Sequence, residues 1–327
     1  MLLEYIFLFM GGIMLFVIVA IVLRKKKNCV QPKDYVKKKE LLPTGQILMQ
    51  YNYENRSLRD FKLDYSTKIH SYLYCGNILT YVDDAVNYCF PKFDEEQRAC
   101  QKACETGKKI DYIKETWASE NKEAEQLGSF VHRQIENFLL GKTFQSVFNY
   151  HYEGRFFSSR YPISIIPEMN QFATFWAKKS WKPYRSQWII FDEDMGLVGI
   201  VDLLAKNEKN ELILCDWTRS CKVGTEISGE YVLQPEPNST ATANICEHLQ
   251  LSDTPFNRKV LQLNILRVIL KKQYHLVVNQ MYLVVFHAEN ETFHELRVPF
   301  LEVETASFLY NIRDGGSEVR TKYINNG

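Results

Sequence analysis

The chain of 327 residues has a formal net charge of +1, which excludes a global positive field for attracting nucleic acid, so any such surface must be local. Hydrophobic residues make up 46% of the sequence, a fraction that supports a large core. The length exceeds the common size of one domain, although one core with helical additions can account for most of it. The sequence shows no internal repeat or low-complexity tract.

The amino end carries an apolar run typical of a membrane-spanning helix. Residues 5–23 are uncharged and 19 in number, which gives about 28 Å of helix against a bilayer core of about 30 Å. Four cations follow directly in residues 24–27, whereas a cleavable signal peptide has its positive charges before the apolar run. We therefore predict an uncleaved transmembrane helix over 5–23, a basic juxtamembrane linker over 24–45 that can contact anionic lipid, and a cytoplasmic location for the main domain.

An amphipathic helix is predicted over residues 124–140. Apolar side chains recur there at helical spacing, and His132 and Glu136 lie four residues apart, which places them on one face. A histidine in such a position is more often a satisfied structural group than a ligand, so the pair alone does not define a site.

A β-hairpin is predicted further along the chain. An apolar run from Gly199 contains Asp202, the polar residues 207–210 form the turn, and a second apolar run leads into Asp216. Because side chains alternate along a strand, the two carboxylates can converge at one point. Convergence of this kind implies a cation, a shared proton or a flanking base. Aspartates at strand ends are also common as caps and turn residues, so the spacing alone is a weak functional signal.

The remaining predicted elements complete an alternating α/β pattern. Residues 222–255 are irregular and rich in proline, and they could cover the site as a lid or substrate loop. The others are, in chain order, a strand over 187–191, a helix over 261–270 that carries Gln262, strands over 280–286 and 292–298, a helix over 301–312 and a polar tail over 313–327.

The order of these motifs resembles the PD-(D/E)XK nuclease superfamily in its RecB-type exonuclease branch. The matching features are Gly128-x-x-x-His132-x-x-x-Glu136 on a helix, Gly199-x-x-Asp202, Asp216-Trp217, and Gln262 in a leucine-rich helix. The resemblance covers roughly residues 85–300. It implies an α/β domain over 46–312 with a restriction-endonuclease-like core, in which helices flank a mixed central sheet and further helices are added. Accidental similarity within a different α/β fold is the alternative.

The resemblance also implies a site and a reaction. In the family, the positions of His132, Asp202, Asp216 and the backbone carbonyl of Trp217 hold a divalent metal, and Mg²⁺ or Mn²⁺ suits that set of ligands. Thr218 and Gln262 are the further expected catalytic positions. The implied function is metal-dependent hydrolysis of DNA, exonuclease-like, by a hydrolase that a single helix anchors to a membrane. The sequence identifies no protein partner.

Two departures from the family pattern leave the activity open. The family has a lysine where this chain has Thr218, and threonine carries no positive charge to stabilise the developing negative charge. It also has a tyrosine where this chain has Leu266. Lys206, Arg219 and Lys222 are possible substitutes for the lysine, but none has a convincing position along the hairpin. The chain is therefore either a weakened or rewired nuclease, or a pseudonuclease that binds nucleic acid or protein without cutting.

Cations and cysteines add two further expectations. Residues 178–185 mix lysine and arginine with aromatic side chains, as a surface for phosphates and bases would, although a solvated helix end followed by a loop is the favoured interpretation of the segment taken alone. Gly107 and two following lysines mark the end of a helix. The chain has eight cysteines, but no compact Cys-x-x-Cys run, so we expect no iron–sulfur cluster. Cys100 and Cys104, at helical spacing, are expected to be ordinary buried thiols.

Overall fold

A computed structural model describes residues 50–90, 93–221, 223–225, 231–233 and 251–314. The predicted transmembrane helix, the basic linker, and the polar tail beyond residue 314 lie outside these ranges. Among the described residues, no helix combines the length and the apolar character needed to cross a bilayer.

The described helices and strands alternate along the chain. Residues 58–62 form a 3₁₀ helix. The α-helices are α1 (Gln50–Glu54), α2 (Val82–Cys89), α3 (Glu95–Thr106), α4 (Ile110–Leu139), α5 (Ile166–Ala177), α6 (Pro255–Tyr274) and α7 (Glu302–Asp314). The strands are β1 (Leu63–Ser66), β2 (Ser71–Tyr74), β3 (Asn77–Ile78), β4 (Thr80–Tyr81), β5 (Val147–Glu153), β6 (Ser158–Ser164), β7 (Lys182–Asp192), β8 (Leu197–Lys206), β9 (Leu212–Arg219), β10 (Val223–Thr225), β11 (Tyr231–Leu233), β12 (Val278–Phe286) and β13 (His294–Arg297).

Six of these strands form a mixed central sheet. The order is β13-β12-β9-β8-β4, and β7 also pairs with β8. Neighbours β7–β8, β8–β9 and β12–β13 are antiparallel, whereas β9–β12 and β4–β8 are parallel. The prediction of an α/β fold with a mixed sheet is confirmed at this level.

Helices cover both faces of the sheet because its central strands are apolar on both sides. Leu204 and Leu214 pack into one core with α2, α6 and α7. Their neighbours Leu203 and Cys215 point the opposite way, into a second core with α4 and α5. The strands therefore lie between two helical layers, and α4 and α6 approach the sheet from opposite sides.

Close packing of α6 on the sheet depends on one glycine. A Cβ atom added to Gly199 would lie 2.3 Å from Leu266 Cδ2 and 3.2 Å from Val82 Cγ2. A side chain at this position would therefore force the Leu266 side chain to move and would crowd Val82. The position of the family tyrosine is consequently a core position here, since Leu266 is buried against this glycine.

Several predicted elements are confirmed with different bounds. The amphipathic helix begins at Ile110, before the predicted residue 124. The strand predicted over 187–191 spans Lys182–Asp192, so part of the expected loop after α5 belongs to β7. The predicted irregular segment contains the short β10–β11 pair, and most of its other residues lie outside the described ranges. The tail prediction began at 313, whereas α7 continues to Asp314.

The end of α3 was predicted correctly but the burial of its cysteines was not. Gly107 caps α3 in the left-handed conformation, with φ of 70°. Cys104 is exposed and Cys100 only half-buried, in contrast to the predicted buried thiols. The reason is that α3 buries only Ala99, so most of its surface faces solvent.

Candidate metal and catalytic site

The site forms where β8 and β9 separate. Their ladder runs from the Lys206–Leu212 pair to the Leu203–Cys215 pair, and Asp202 and Asp216 occupy the next position in register, beyond the last pair. The Trp217 N–H, which β8 no longer pairs, donates to Asp202 Oδ2 at 3.0 Å. The end of the ladder thus leaves space for both carboxylates between the strands.

Strand β4 pairs with the edge of β8 that lies beyond the end of the β8–β9 ladder. β4 pairs in parallel with Leu197 and Val198, whose other edge is already paired with β7. Helix α2 begins directly after β4, at Val82. This order of elements brings Asp83, the second residue of α2, to the gap between β8 and β9.

Asp202 is held by two further donors. Gln187 lies opposite it on β7 and donates Nε2 to Asp202 Oδ1 at 2.9 Å. The backbone of Gln187 has φ of 45°, an uncommon conformation for a residue other than glycine, and such outliers concentrate at functional sites. His132 Nδ1 lies 3.3 Å from Asp202 Oδ2. Gln187 was not predicted from the sequence, whereas the approach of His132 to Asp202 agrees with the predicted cluster.

The ionisation of His132 and Asp202 follows from their contact. Burial disfavours the His132 imidazolium, but the Asp202 and Asp216 carboxylates outweigh this and raise the pKa of His132. Burial would raise the pKa of Asp202, but His132, together with hydrogen bonds from Asp216 and from the Trp217 N–H, holds that pKa well below its usual range. Asp202 therefore stays ionised throughout the physiological pH range. Glu136, one turn beyond His132 on α4, has its pKa raised by burial and by Asp202.

Asp216 is the carboxylate whose charge is least stable. Burial outweighs the attraction of Lys259 and, together with repulsion from Asp202, raises the pKa of Asp216 to about 7. Its buried Oδ2 atom is paired with Lys259, whose Nζ lies 2.9 Å away. Asp216 is therefore the carboxylate of the pair that protonates first, and Asp202 stays ionised.

Lys259 brings a positive charge to the site from α6. The N-cap of this helix is Thr254, whose hydroxyl accepts from the Asn257 N–H, and Lys259 follows in the second turn. Burial opposes its charge, but Asp216 and Asp83 outweigh this and raise the pKa of Lys259. The Lys259 side chain as a whole is 28% exposed. Sequence reasoning sought the missing lysine only near the hairpin and overlooked Lys259, although it lies one turn before Gln262 on the same helix face.

Gln262 reaches the site through Asp83. Its side chain hydrogen-bonds to the Asp83 carboxylate, and it is 8% exposed. Burial raises the pKa of Asp83 despite the opposing effect of Lys259. The predicted site residue Gln262 therefore belongs to the cluster, together with a third carboxylate that the sequence analysis had not identified.

The site collects hard ligand types, but among the described residues no three ligand atoms of His132, Asp83, Asp202 and Asp216 lie within 4.8 Å of one another, so the metal site stays a prediction. Asp83, Asp202 and Asp216 place three carboxylates around Lys259, whose ammonium is already paired with Asp216 Oδ2 at 2.9 Å. Carboxylate oxygens with one imidazole suit Mg²⁺ or Mn²⁺. Trp217 donates its N–H to Asp202 and buries its indole against Phe172 and Phe175. The role of its carbonyl as a metal ligand stays a prediction.

The substitutes considered for the family lysine lie elsewhere or are already paired. Lys206 stands at the far end of β8, with Nζ 5.1 Å from the centre of the Tyr184 ring. Arg219 Nε donates to Glu168 Oε1 at 2.9 Å. Lys222 lies outside the described residues. Thr218 lies on β9 opposite Val285 of β12 and carries no charge. Lys259 is therefore the cation that the described structure brings to the carboxylates.

The cations of residues 178–185 are largely engaged within the protein. Lys179 Nζ lies 2.6 Å from Glu295 Oε1, and Arg185 lies 2.8 Å from Asp60 Oδ2 and stacks over Trp188. The Lys178 ammonium lies 4.9 Å from the centre of the Phe293 ring. These contacts favour a structural role for the segment over the phosphate-binding interpretation.

Comparisons with known proteins do not identify a family or a function for this chain. No protein-family model matches the sequence, and no curated protein matches it. A solved structure described as "Crystal structure of SSO0001" is similar over 73% of this chain and 75% of that one, with 12% sequence identity and a TM-score of 0.28. A TM-score this low does not establish a shared fold, so we infer nothing about function from this similarity. The function proposed below rests on the geometry of the site and on the motif resemblance.

Proposed function

We propose that this chain is a metal-dependent nuclease of the PD-(D/E)XK type that hydrolyses phosphodiester bonds in DNA. The observation that supports activity over mere binding is the position of Lys259, whose Nζ lies 2.9 Å from Asp216 Oδ2. Without this lysine, Thr218 would leave the carboxylate cluster with no fixed cation. With it, a lysine pairs with one carboxylate of the cluster.

His132, Asp202 and Asp216 are the residues that hold the metal. A bound Mg²⁺ or Mn²⁺ polarises the phosphodiester and lowers the pKa of the attacking water. Asp202 is preorganised for this role, since Gln187 and the Trp217 N–H fix its two oxygens. Asp216 gives up its partial protonation when a cation binds, because the cation replaces the proton in compensating the repulsion from Asp202.

Lys259 supplies the electrostatic term that the family lysine supplies from the strand. Its ammonium is paired with Asp216 at 2.9 Å, and the Asp83 carboxylate adds a further favourable charge interaction. A positive charge held there stabilises the negative charge that develops on the phosphate as the bond breaks. Gln262, held by Asp83, presents its amide beside Lys259 and can orient the substrate.

The substrate and the location follow from the resemblance and from the amino end. DNA is the favoured substrate, and exonucleolytic hydrolysis is the favoured mode, by resemblance to the RecB-type branch. The apolar run 5–23 tethers the domain to a membrane, with the domain on the cytoplasmic side of the cations at 24–27. Protease treatment of sealed vesicles tests this topology: the domain should be digested from the cytoplasmic side, and protection on the opposite side would contradict it.

A nuclease assay on the full chain tests the activity. End-labelled single-stranded and duplex DNA are incubated with Mg²⁺ or Mn²⁺, and the wild type is compared with Asp202→Asn, Lys259→Met and Lys206→Met. We expect cleavage by the wild type and by Lys206→Met, and strong loss in the other two variants. Lys206 is the matched control because it is a lysine of β8 that lies away from the carboxylates.

Two other outcomes would refute parts of the proposal. Metal-induced stabilisation of the wild type without any cleavage would favour a pseudonuclease that retains its cation site. Cleavage that persists in Lys259→Met would show that this lysine does not act in the reaction.

A further inference from the structure

A second group of metal-ligand side chains lies at the end of β9 and β12. Cys221, His287 and Glu289 each place one ligand atom within 4.8 Å of the other two. The strands β9 and β12 are parallel, with Arg219 paired to Phe286, so the segments that follow them leave the sheet at the same edge. This topology brings Cys221 close to His287 and Glu289 although they are distant in the sequence.

The turn that carries two of these residues is fixed by a buried glutamine. Gln171 of α5 donates Nε2 to the carbonyls of His287 and Asn290, at 2.9 and 2.7 Å, and its Oε1 accepts from the His287 N–H at 3.0 Å. Gln171 is 8% exposed, so all three hydrogen bonds lie in a protected environment. The backbone positions of His287 and Glu289 are therefore set before any ion binds.

The two segments are also linked directly to each other. Asn290 donates Nδ2 to the Ser220 carbonyl at 3.0 Å, and the Ser220 N–H donates to the Phe286 carbonyl at 3.2 Å. These bonds join the residue before Cys221 to both ends of the 287–290 turn. The three ligands thus come from two backbone segments that already hold each other in place.

We infer that Cys221, His287 and Glu289 form a second cation site, specific for Zn²⁺ over Mg²⁺. Thiolate, imidazole and carboxylate are the ligands that zinc takes, and magnesium does not select sulfur. Three protein ligands leave a fourth tetrahedral position for water. Ligand atoms in a tetrahedral zinc site are about 3–4 Å apart, so the exposed side chains of Cys221 and Glu289 need to close by about 1 Å.

When zinc binds, His287 loses one hydrogen bond that it accepts in the metal-free protein. The Glu289 N–H donates to His287 Nδ1 at 3.1 Å. A metal at Nδ1 replaces this bond directly, and a metal at Nε2 puts the ring proton on Nδ1, where it faces the Glu289 N–H. The neighbouring Arg219 opposes a cation at His287, and its partner Glu168 offsets that positive charge only in part.

Site-resolved alkylation of the full chain tests the inference without any substitution. Cysteines react with N-ethylmaleimide with or without Zn²⁺, and mass spectrometry follows each peptide. We expect Zn²⁺ at ten times its Kd to slow modification of Cys221 by about tenfold, and Mg²⁺ to have no effect. Cys104 is the internal control, since it is also exposed and lies on α3. Equal rates at Cys221 with and without Zn²⁺ would overturn the inference.

Cobalt substitution identifies the ligands independently. In an Asp202→Asn background, which weakens the carboxylate cluster, Co²⁺ should give a thiolate-to-metal charge-transfer band. The band should disappear in Cys221→Ser and in His287→Gln, and should persist in Cys104→Ser. A band that survives Cys221→Ser would place the metal on another cysteine and refute the site. Neither experiment measures DNA cleavage, so both results are independent of the proposed nuclease activity.

Discussion

Lys259 of α6 and Asp216 of β9 form an ion pair, with Nζ 2.9 Å from Oδ2, at the point where β9 leaves β8. The pair joins a helix on one face of the sheet to a strand in its centre. It supplies the positive charge that the strand itself lacks, because Thr218 stands two residues after Asp216. The position of this charge can be tested by moving it.

Removal of the Lys259 charge should reduce turnover strongly. Loss of one preorganised group of this kind typically costs about 10²–10³ in kcat. We expect Lys259→Met to show that loss in single-turnover cleavage with saturating Mg²⁺, and Lys259→Arg to recover part of it. Lys206→Met should match the wild type. A Lys259→Met variant that is inactive only because KM has risen would assign the lysine to substrate binding instead.

A lysine on the strand should compensate for the loss of the helix lysine. Thr218→Lys restores the family arrangement, so in the Lys259→Met background it should recover at least part of the lost turnover. In the wild type the same substitution should add little, because Lys259 already occupies the carboxylates. The double-mutant cycle measures this coupling. Additive effects of the two substitutions would mean that the two positions serve different purposes.

The metal-free protein should lose stability as the pH rises from 5 to 8. Folding raises the pKa of Asp216 from 3.8 to about 7, so the folded state holds a proton that the unfolded state has released, and stability falls through this window. The raised pKa of His132 acts in the same direction, since its contribution is present below 6.5 and is lost above its folded pKa. Thermal melts in a chelator should show a lower Tm at pH 8 than at pH 6.

Two comparisons sharpen this pH experiment. Mg²⁺ or Mn²⁺ should raise the Tm more at pH 8 than at pH 6, because the cation then meets an ionised Asp216. Asp216→Asn should weaken both the pH dependence and the metal effect. An unchanged Tm gain in Asp216→Asn would remove Asp216 from the set of metal ligands.

Gly199→Ala should destabilise the fold and disturb the site together. The added Cβ would lie 2.3 Å from Leu266 Cδ2, and overpacking of this kind costs about 1–3 kcal/mol. The displaced Leu266 side chain belongs to the helix that carries Lys259, so we expect cleavage to fall more than stability alone explains. Gly128→Ala is the control, because its Cβ would meet nothing within 4 Å and alanine favours the helix. Urea titration and cleavage assays measure both effects.

The hairpin and the helix of the site could be predicted because their signals are local. The polar turn 207–210 between two apolar runs defines β8 and β9, and the four-residue spacing of His132 and Glu136 defines one face of α4. Each signal lies within one element, so neighbouring residues alone carry it. The observed α4 and β7 extend beyond the predicted bounds, where periodicity weakens.

Lys259 and Asp83 could not be identified in the same way. Helix α6 is buried on almost every side from Val260 to Leu270, so no polar stripe shows which way Lys259 points. Asp83 reaches the cluster only because β4 pairs with β8 along the edge that β9 leaves, a contact between distant parts of the chain. The departure from the PD-(D/E)XK pattern at Thr218 was visible in the sequence, but the approach of Lys259 to the carboxylates depends on tertiary packing.

Because β8 and β9 separate at the site, the geometry of the cluster also depends on the spacing of the two helical layers. His132 belongs to α4 and Lys259 to α6, and these helices press on the sheet from opposite sides. The distance between imidazole and ammonium is therefore set by two independent hydrophobic cores, and the hairpin between them does not fix it. A substitution deep in either core, far from any carboxylate, can therefore change the distance between imidazole and ammonium while the hairpin keeps its geometry. A partner that compresses either layer can change the same distance.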